Sequence, residues 1–210
     1  MFDGKRILIL APHTDDGELG CGGTIAKFIE IGSEVFYAAF STADCSVLPE
    51  FPPDQLTLEV KEATRILGIP PQNLLVFNYE VRKLNYVRQE ILEELIRLKP
   101  VIQPDIVFLP SSKDIHQDHL TIHQEGIRAF KQCSILGYEL IWNNLSFSTS
   151  CFIEISKKHL ELKIEALKAY KTQEGKDYMN PDFIHSLAVV RGVQIGVPFA
   201  EAFEAIRILW

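Results

Sequence analysis

The sequence predicts an α/β protein: a mostly parallel sheet with helices on both faces. Three observations carry this reading. Short apolar runs alternate with amphipathic stretches in the order β-α-β-α-β-α-β-α, the pattern of parallel strands joined by crossover helices. The first apolar run ends in a dense polar and glycine-rich group, as strands of open parallel sheets do where they meet a ligand. The chain has 210 residues, 47% hydrophobic and 23% charged, enough for one α/β domain with a sizeable core. No internal repeat, low-complexity segment or linker divides residues 1–210, so one domain is expected.

Arg6–Ala11 is short and continuously apolar, which suits a central strand buried on both faces. Gly20-Cys21-Gly22-Gly23 then leads into a first helix, Thr24–Ile31, that Gly32 terminates. Glu34–Phe40 is β-branched and aromatic, and reads as the second strand, with Phe36, Tyr37 and Phe40 assigned to the core. Ser41–Pro53 carries three prolines and is read as a long loop beside the site. Asp54 starts a helix to Leu67, with Gly68 as its stop. Leu74–Phe77 is a short strand. Tyr86–Lys99 has helical apolar spacing and is expected to stop at Pro100. Ile106–Leu109 is a buried strand, Ser111–Asp118 a polar loop and His119–Lys131 a helix. In the tail, Gly137–Leu140 and Cys151–Ile155 read as strands and Ser156–Tyr170 as a helix capped by Ser156. Ile184–Val193 and Ala200–Leu209 fit helix or strand equally.

Several function classes are excluded by the totals. A net charge of -7 gives no footprint for nucleic acid. No apolar run reaches transmembrane length. Met1–Arg6 leads straight into the first strand, without the apolar stretch of a signal peptide. Cys21, Cys45, Cys133 and Cys151 form no C-x-x-C pair, so they read as reduced thiols of a cytoplasmic protein rather than a zinc site. The oligomeric state is left open, a homo-oligomer included.

Chemistry concentrates in two loops. The first strand delivers His13, Asp15 and Asp16 to the carboxyl edge of the sheet. The strand Ile106–Leu109 delivers Asp114, His116, Asp118 and His119 to the same edge. Half of the six histidines in the chain lie here. Imidazole and carboxylate without thiolate suit zinc, or another divalent first-row metal. A catalytic zinc takes three protein ligands and keeps one position for water, whose pKa it lowers to about 7. A carboxylate left over can then take the proton as water attacks. From the residues alone, the reading is a metal-dependent hydrolase.

The pair P-H-T-D-D-G-E-L-G-C-G-G-T and D-I-H-Q-D-H resembles the LmbE-like, or PIG-L, family of zinc-dependent N-deacetylases. The later R-G-V-Q-I-G and A-E-A-F-E stretches resemble it more loosely. The resemblance implies a Rossmann-like, LmbE-like fold and a zinc ion (Zn2+) held by His13, Asp16 and His119. It implies that Asp15 is the general base and later protonates the leaving amine. His116, protonated, would stabilise the oxyanion, with Asp118 orienting it and keeping it cationic. The implied partner is a small N-acetylated sugar: an N-acetylglucosamine-type group in a glycoconjugate or a sugar-nucleotide precursor, which would lose acetate. Three departures stand out. Thr14 replaces the usual proline, Gly17 the usual glutamate with Glu18 one place later, and Leu56 an arginine for which Arg82 would substitute.

Plainer roles compete at several positions. Asp118 also fits the N-cap of the helix at His119. His119 and His123 stand at i, i+4, yet His123 reads as structural because the first loop already supplies ligands. Gly20–Gly23 could cradle a phosphate, which would suit a non-catalytic nucleotide-sugar-binding protein, but close packing of the first helix fits better. A metal-dependent phosphoesterase would need more carboxylates near these loops. His159 and His185 read as ordinary residues. Arg191-Gly192 either lines the pocket or makes a turn. Trp142 either stacks on a sugar ring or packs in the core.

Overall fold

Alternation of apolar side chains on both strand faces produces one seven-stranded sheet with two cores. The structure is a computed structural model and describes residues 4–43, 45, 47 and 49–209. The first three residues of the N-terminal lead-in, and positions 44, 46 and 48 of the Ser41–Pro53 loop, lie outside the described residues. The strands are β1 (Arg6–His13), β2 (Glu34–Ser41), β3 (Leu74–Val76), β4 (Ile106–Pro110), β5 (Ser134–Tyr138), β6 (Cys151–Glu154) and β7 (Ala200–Arg207). Their order across the sheet is β3-β2-β1-β4-β5-β7-β6. The first five are parallel, and β7 runs antiparallel between β5 and β6. The ambiguous segment from Ala200 is therefore a strand.

The helices are α1 (Asp16–Glu30), α2 (Gln55–Leu67), α3 (Arg88–Ile102), α4 (Gln117–Ala129), α5 (Lys157–Leu167) and α6 (Pro181–Val193). Ile7 and Ile9 of β1 face Ile25 and Phe28 of α1, Val60 of α2, and residues of α5 and α6. Leu8 and Leu10 face Ile91 and Leu95 of α3 and Ile122 of α4. Helices thus cover both faces, and the two-residue period of β1 feeds both cores. No helix among the described residues is long and apolar enough to cross a membrane.

Three boundaries differ from the sequence expectation in ways that matter. α1 begins at Asp16, not at Thr24, so Gly17–Gly23 is helical rather than a turn. Gly17 and Gly20 are there for close approach: a Cβ would fall 2.5 Å from the Tyr37 ring at Gly17 and 2.4 Å from the Tyr138 ring at Gly20. The helix kinks at Cys21, whose φ/ψ of -148°/25° is non-helical. α4 begins at Gln117, and its N-cap is His116 rather than Asp118. α3 runs through Pro100, because a proline so near the end removes only one helical hydrogen bond; Gln103, at φ 48°, closes it.

Candidate active site

Strand β1 carries His13 to the carboxyl edge, where it is paired in register with Ser41 of β2. The chain turns through Thr14 and Asp15 and starts α1 at Asp16. β4 ends at Pro110, and the next loop enters α4 with His119 in its first turn. Both motifs therefore meet at one edge, as the sheet order requires: β1 and β4 are neighbours.

Three donor atoms converge there. Asp16 Oδ2 lies 3.1 Å from His13 Nδ1 and 3.3 Å from His119 Nε2. The two nitrogens are 3.2 Å apart. A tetrahedral zinc with ligands at about 2.0–2.1 Å separates neighbouring donors by roughly 3.3 Å, so the near-equilateral triangle fits such an ion. The far nitrogen of each ring is held by a carboxylate: His13 Nε2 meets Asp118 Oδ2 at 3.0 Å, and His119 Nδ1 meets Asp114 Oδ2 at 2.7 Å. Such outer carboxylates fix ring orientation and raise ligand basicity. A ring atom of His116 joins those of His13 and His119 in a cluster spanning no more than 4.8 Å.

The electrostatics favour positive charge at the centre. Burial tends to raise the Asp16 carboxyl, but His119 and His13 hold it far below the usual carboxylate range. Burial tends to lower both imidazoles, and the carboxylates overcome it. Asp16 and Asp118 push His13 up to about 9, while Asp16 and Asp114 push His119 up to about 10. Protons or an ion can supply the charge that these carboxylates demand. Asp15 is a different kind of acid. It occupies the N-cap position of α1 but makes no cap hydrogen bond. Burial first, and then the charge of Asp16, raise it to about 6, near the range of a working general base.

His116 and Asp118 are coupled differently from the expectation. The backbone N–H of Asp118 donates to His116 Nδ1 at 3.2 Å, which leaves the ring hydrogen for Nε2. The Asp118 carboxylate is taken up by His13 and by the N–H groups of Arg82 at 2.5 Å and Leu84 at 3.1 Å. Burial, with the nearby His119 and His13, lowers the His116 pKa, and the pull of Asp118 is weaker. Arg82, at φ 66°, thus serves the site through its backbone. His123 donates from Nδ1 to the Pro110 carbonyl at 2.7 Å and stands outside the histidine cluster.

Several supporting residues have no role that the sequence alone suggests. Asp114 holds His119 Nδ1. Glu18, fully buried, contacts both the Tyr37 hydroxyl and the Tyr170 hydroxyl, the latter at 3.0 Å, and burial raises it to about 8. Both hydroxyls also reach the Thr14 carbonyl, at 2.9 and 2.7 Å, so this trio underpins the turn that carries Asp15. Tyr37 is thus more than core, and Gly17 admits its ring; the departure at Gly17 and Glu18 forms one arrangement with it. On β7, Glu204 accepts from Ser112 N–H at 2.7 Å and Ser112 Oγ at 2.6 Å, bracing the second loop. Glu201 accepts from the N–H groups of Gly23 at 3.1 Å and Thr24 at 2.7 Å, capping α1 beyond its kink. The A-E-A-F-E stretch was the only signal for this pair. Arg191-Gly192 lies within α6 rather than in a turn, and Arg191 lines a small cavity beside Gly20 and Trp142, where it forms a bidentate ion pair with Glu139.

A parallel α/β sheet with this His/Asp layout at its carboxyl edge defines a hydrolase. The family is equally plain: the model described as "PIG-L: GlcNAc-PI de-N-acetylase" matches residues 8–130, spanning both motifs, and the chain belongs to this family of amide-cleaving deacetylases. It is 27% identical over 174 residues to the uncharacterized deacetylase YaiS of Escherichia coli K12, covering 80% of this chain and 91% of that one. It is 24% identical over 226 residues to the diacetylchitobiose deacetylase of Thermococcus kodakarensis, covering 96% and 83%. Among solved structures, the N,N'-diacetylchitobiose deacetylase of Pyrococcus horikoshii superposes with a TM-score of 0.80 at 24% identity, over 96% of this chain and 84% of that one. GalB, the 4-carboxy-2-hydroxymuconate hydratase of Pseudomonas putida KT2440, superposes with 0.79 at 18% identity, over 98% of each chain. The fold therefore carries more than one chemistry, and the reaction must be argued from the site.

Proposed function

We propose that residues 1–210 act as one catalytic domain that removes the N-acetyl group from an N-acetylglucosamine-type sugar in a glycoconjugate or sugar-nucleotide precursor. The triangle of His13, Asp16 and His119, with edges of 3.1–3.3 Å, carries the reading and would hold a zinc ion. Zinc bound there would supply Lewis acidity and bring the pKa of water down to about 7. Asp15, next to this centre and free of capping duties, takes the proton from the attacking water and returns it to the leaving amine. His116 donates from Nε2 to the oxygen on which negative charge develops, since Nδ1 is committed to the Asp118 N–H. Asp118 and Asp114 keep the two ligand imidazoles oriented. The relatives named as diacetylchitobiose deacetylases support the sugar class. Tyr138, Lys163 and Ile155 pack against Gly20, Gly22 and Gly23, which leaves no open glycine cradle for a phosphate and disfavours a nucleotide-binding reading. Four cysteines without disulfides suit the cytoplasm.

Two measurements test this. Elemental analysis of the purified protein should give close to one zinc per chain, and acetate should be released from N-acetylglucosamine conjugates. Asp15→Asn should keep the zinc and lower turnover by about 10²–10⁴-fold. Acetate release by protein that binds no metal would refute the zinc assignment. Loss of zinc in Asp15→Asn would reverse the roles of Asp15 and Asp16.

A further inference from the structure

Trp142 and Tyr178 stack with ring centroids 4.1 Å apart and planes 15° from parallel. They come from distant segments, and each is tied to one of the two site loops. Trp142 lies in the turn after Leu140. The Asn144 side chain closes that turn, accepting from Leu140 N–H at 2.9 Å and donating to Ser111 Oγ at 2.7 Å. The Asn143 carbonyl accepts from Ile115 N–H at 3.1 Å, which pins the turn next to His116. Tyr178 sits on the single helical turn Asp177–Met179. The stretch that leads to it is held to the first loop by Tyr170, whose hydroxyl donates to the Thr14 carbonyl at 2.7 Å, next to Asp15. The stack thus joins a turn tied to the second site loop to a segment tied to the first. A cavity of about 460 Å³ opens beside it, lined by Ile141, Trp142, Lys176, Asp177, Tyr178 and Phe183.

An indole of this kind carries a large apolar face, and Trp142 is 36% exposed. Buried ring pairs cover their faces with other apolar groups; this pair leaves the indole partly open, on a turn whose Asn143 carbonyl is bonded to Ile115, the residue before His116. In an N-acetylated amino sugar the amide nitrogen is bonded directly to a ring carbon. The pyranose ring must then lie against the first wall outside the reacting centre. Its C–H-rich face packs on an indole as other apolar surfaces do.

We propose that Trp142 and Tyr178 form the subsite that holds the pyranose ring, and that this pair selects ring-bearing acetamides over other acylated amines. Trp142 supplies the contact face. Tyr178 backs it and fixes its plane, so little side-chain freedom is lost on binding. The cavity volume falls in the range of small-ligand sites and has room for one sugar ring. The inference rests on reading the chain as an amino-sugar deacetylase.

Trp142 and Trp210 are the two tryptophans of the chain, so Trp210→Phe leaves Trp142 as the single indole reporter. Titrating zinc-loaded Trp210→Phe with the methyl glycoside of N-acetylglucosamine should change its emission saturably. N-methylacetamide, an amide without a ring, should not. In the otherwise native chain, Trp142→Ala should raise KM for the glycoside about tenfold with kcat and zinc content close to wild type, and Trp142→Phe should recover most of the loss. An emission change without acetate release would sink the proposed reaction and leave the subsite standing. Acetate release by wild type together with an unchanged KM in Trp142→Ala would sink the subsite alone.

Discussion

At the scale of single residues, the site is a matter of which ring nitrogen faces which carboxylate. His13 turns Nδ1 to the centre and Nε2 to Asp118, while His119 turns Nε2 to the centre and Nδ1 to Asp114. One ring arrives on a strand and the other in a helix's first turn, and a different carboxylate holds the far nitrogen of each. Asp114→Asn keeps the size of the side chain but gives His119 a weaker partner. Zinc affinity should fall about 10–100-fold, read by competition with a chromophoric chelator. An unchanged affinity would mean that Asp114 does not orient His119. His13, Asp15, Asp16, His116 and His119 were legible in the sequence because each motif is contiguous. The partner of Asp118 was not: its carboxylate meets His13, 105 residues away, and the helix start at Gln117 decides where it points.

At the scale of elements, β7 is the brace that the order of strands did not foretell. Its Glu201 side chain joins Lys163 of α5 at 2.6 Å and caps α1 beyond the Cys21 kink. Both partners expose only 7% of their side chains. Removing one partner of such a pair strands the other charge out of water. Glu201→Ala should therefore lower stability by about 3–5 kcal/mol in urea denaturation, and adding Lys163→Met should restore part of it. A loss below about 1 kcal/mol would place Lys163 in contact with water instead. The Ala200–Leu209 segment fitted helix or strand because its local pattern is short. The slot between β5 and β6 decided it, where the backbone N–H and C=O groups of both neighbours needed partners.

At the scale of the whole molecule, chemistry sits at the carboxyl edge of the sheet and anchoring at the opposite edge. Asp105, just before β4, accepts from the Arg6 N–H and from Lys5 Nζ, each at 2.9 Å, and so ties the starts of two central strands. Partial burial tends to raise its carboxyl, but these donors outweigh it and hold the pKa below the ordinary value. A depressed native pKa adds stability above the unfolded pKa, and that stability is lost as pH falls through the native one. The groups are more than a third exposed, so the effect is at most about 1 kcal/mol. Asp105→Asn should melt below wild type at neutral pH, and the gap should close in acid. A gap that persists when Asp105 is protonated would show that the side chain acts by packing rather than charge.

The sequence by itself determined the α/β order, the parallel core and the two loops that carry the chemistry. Periodicity and contiguous motifs are local properties, and helix or strand formation expresses them directly. Tertiary structure alone decided that Gly17–Gly23 is helical, that Glu18, Tyr37 and Tyr170 underpin Thr14, and that Trp142 meets Tyr178. Each of these depends on side chains from distant segments sharing one small volume. Close packing there leaves a single arrangement, and no local preference encodes it.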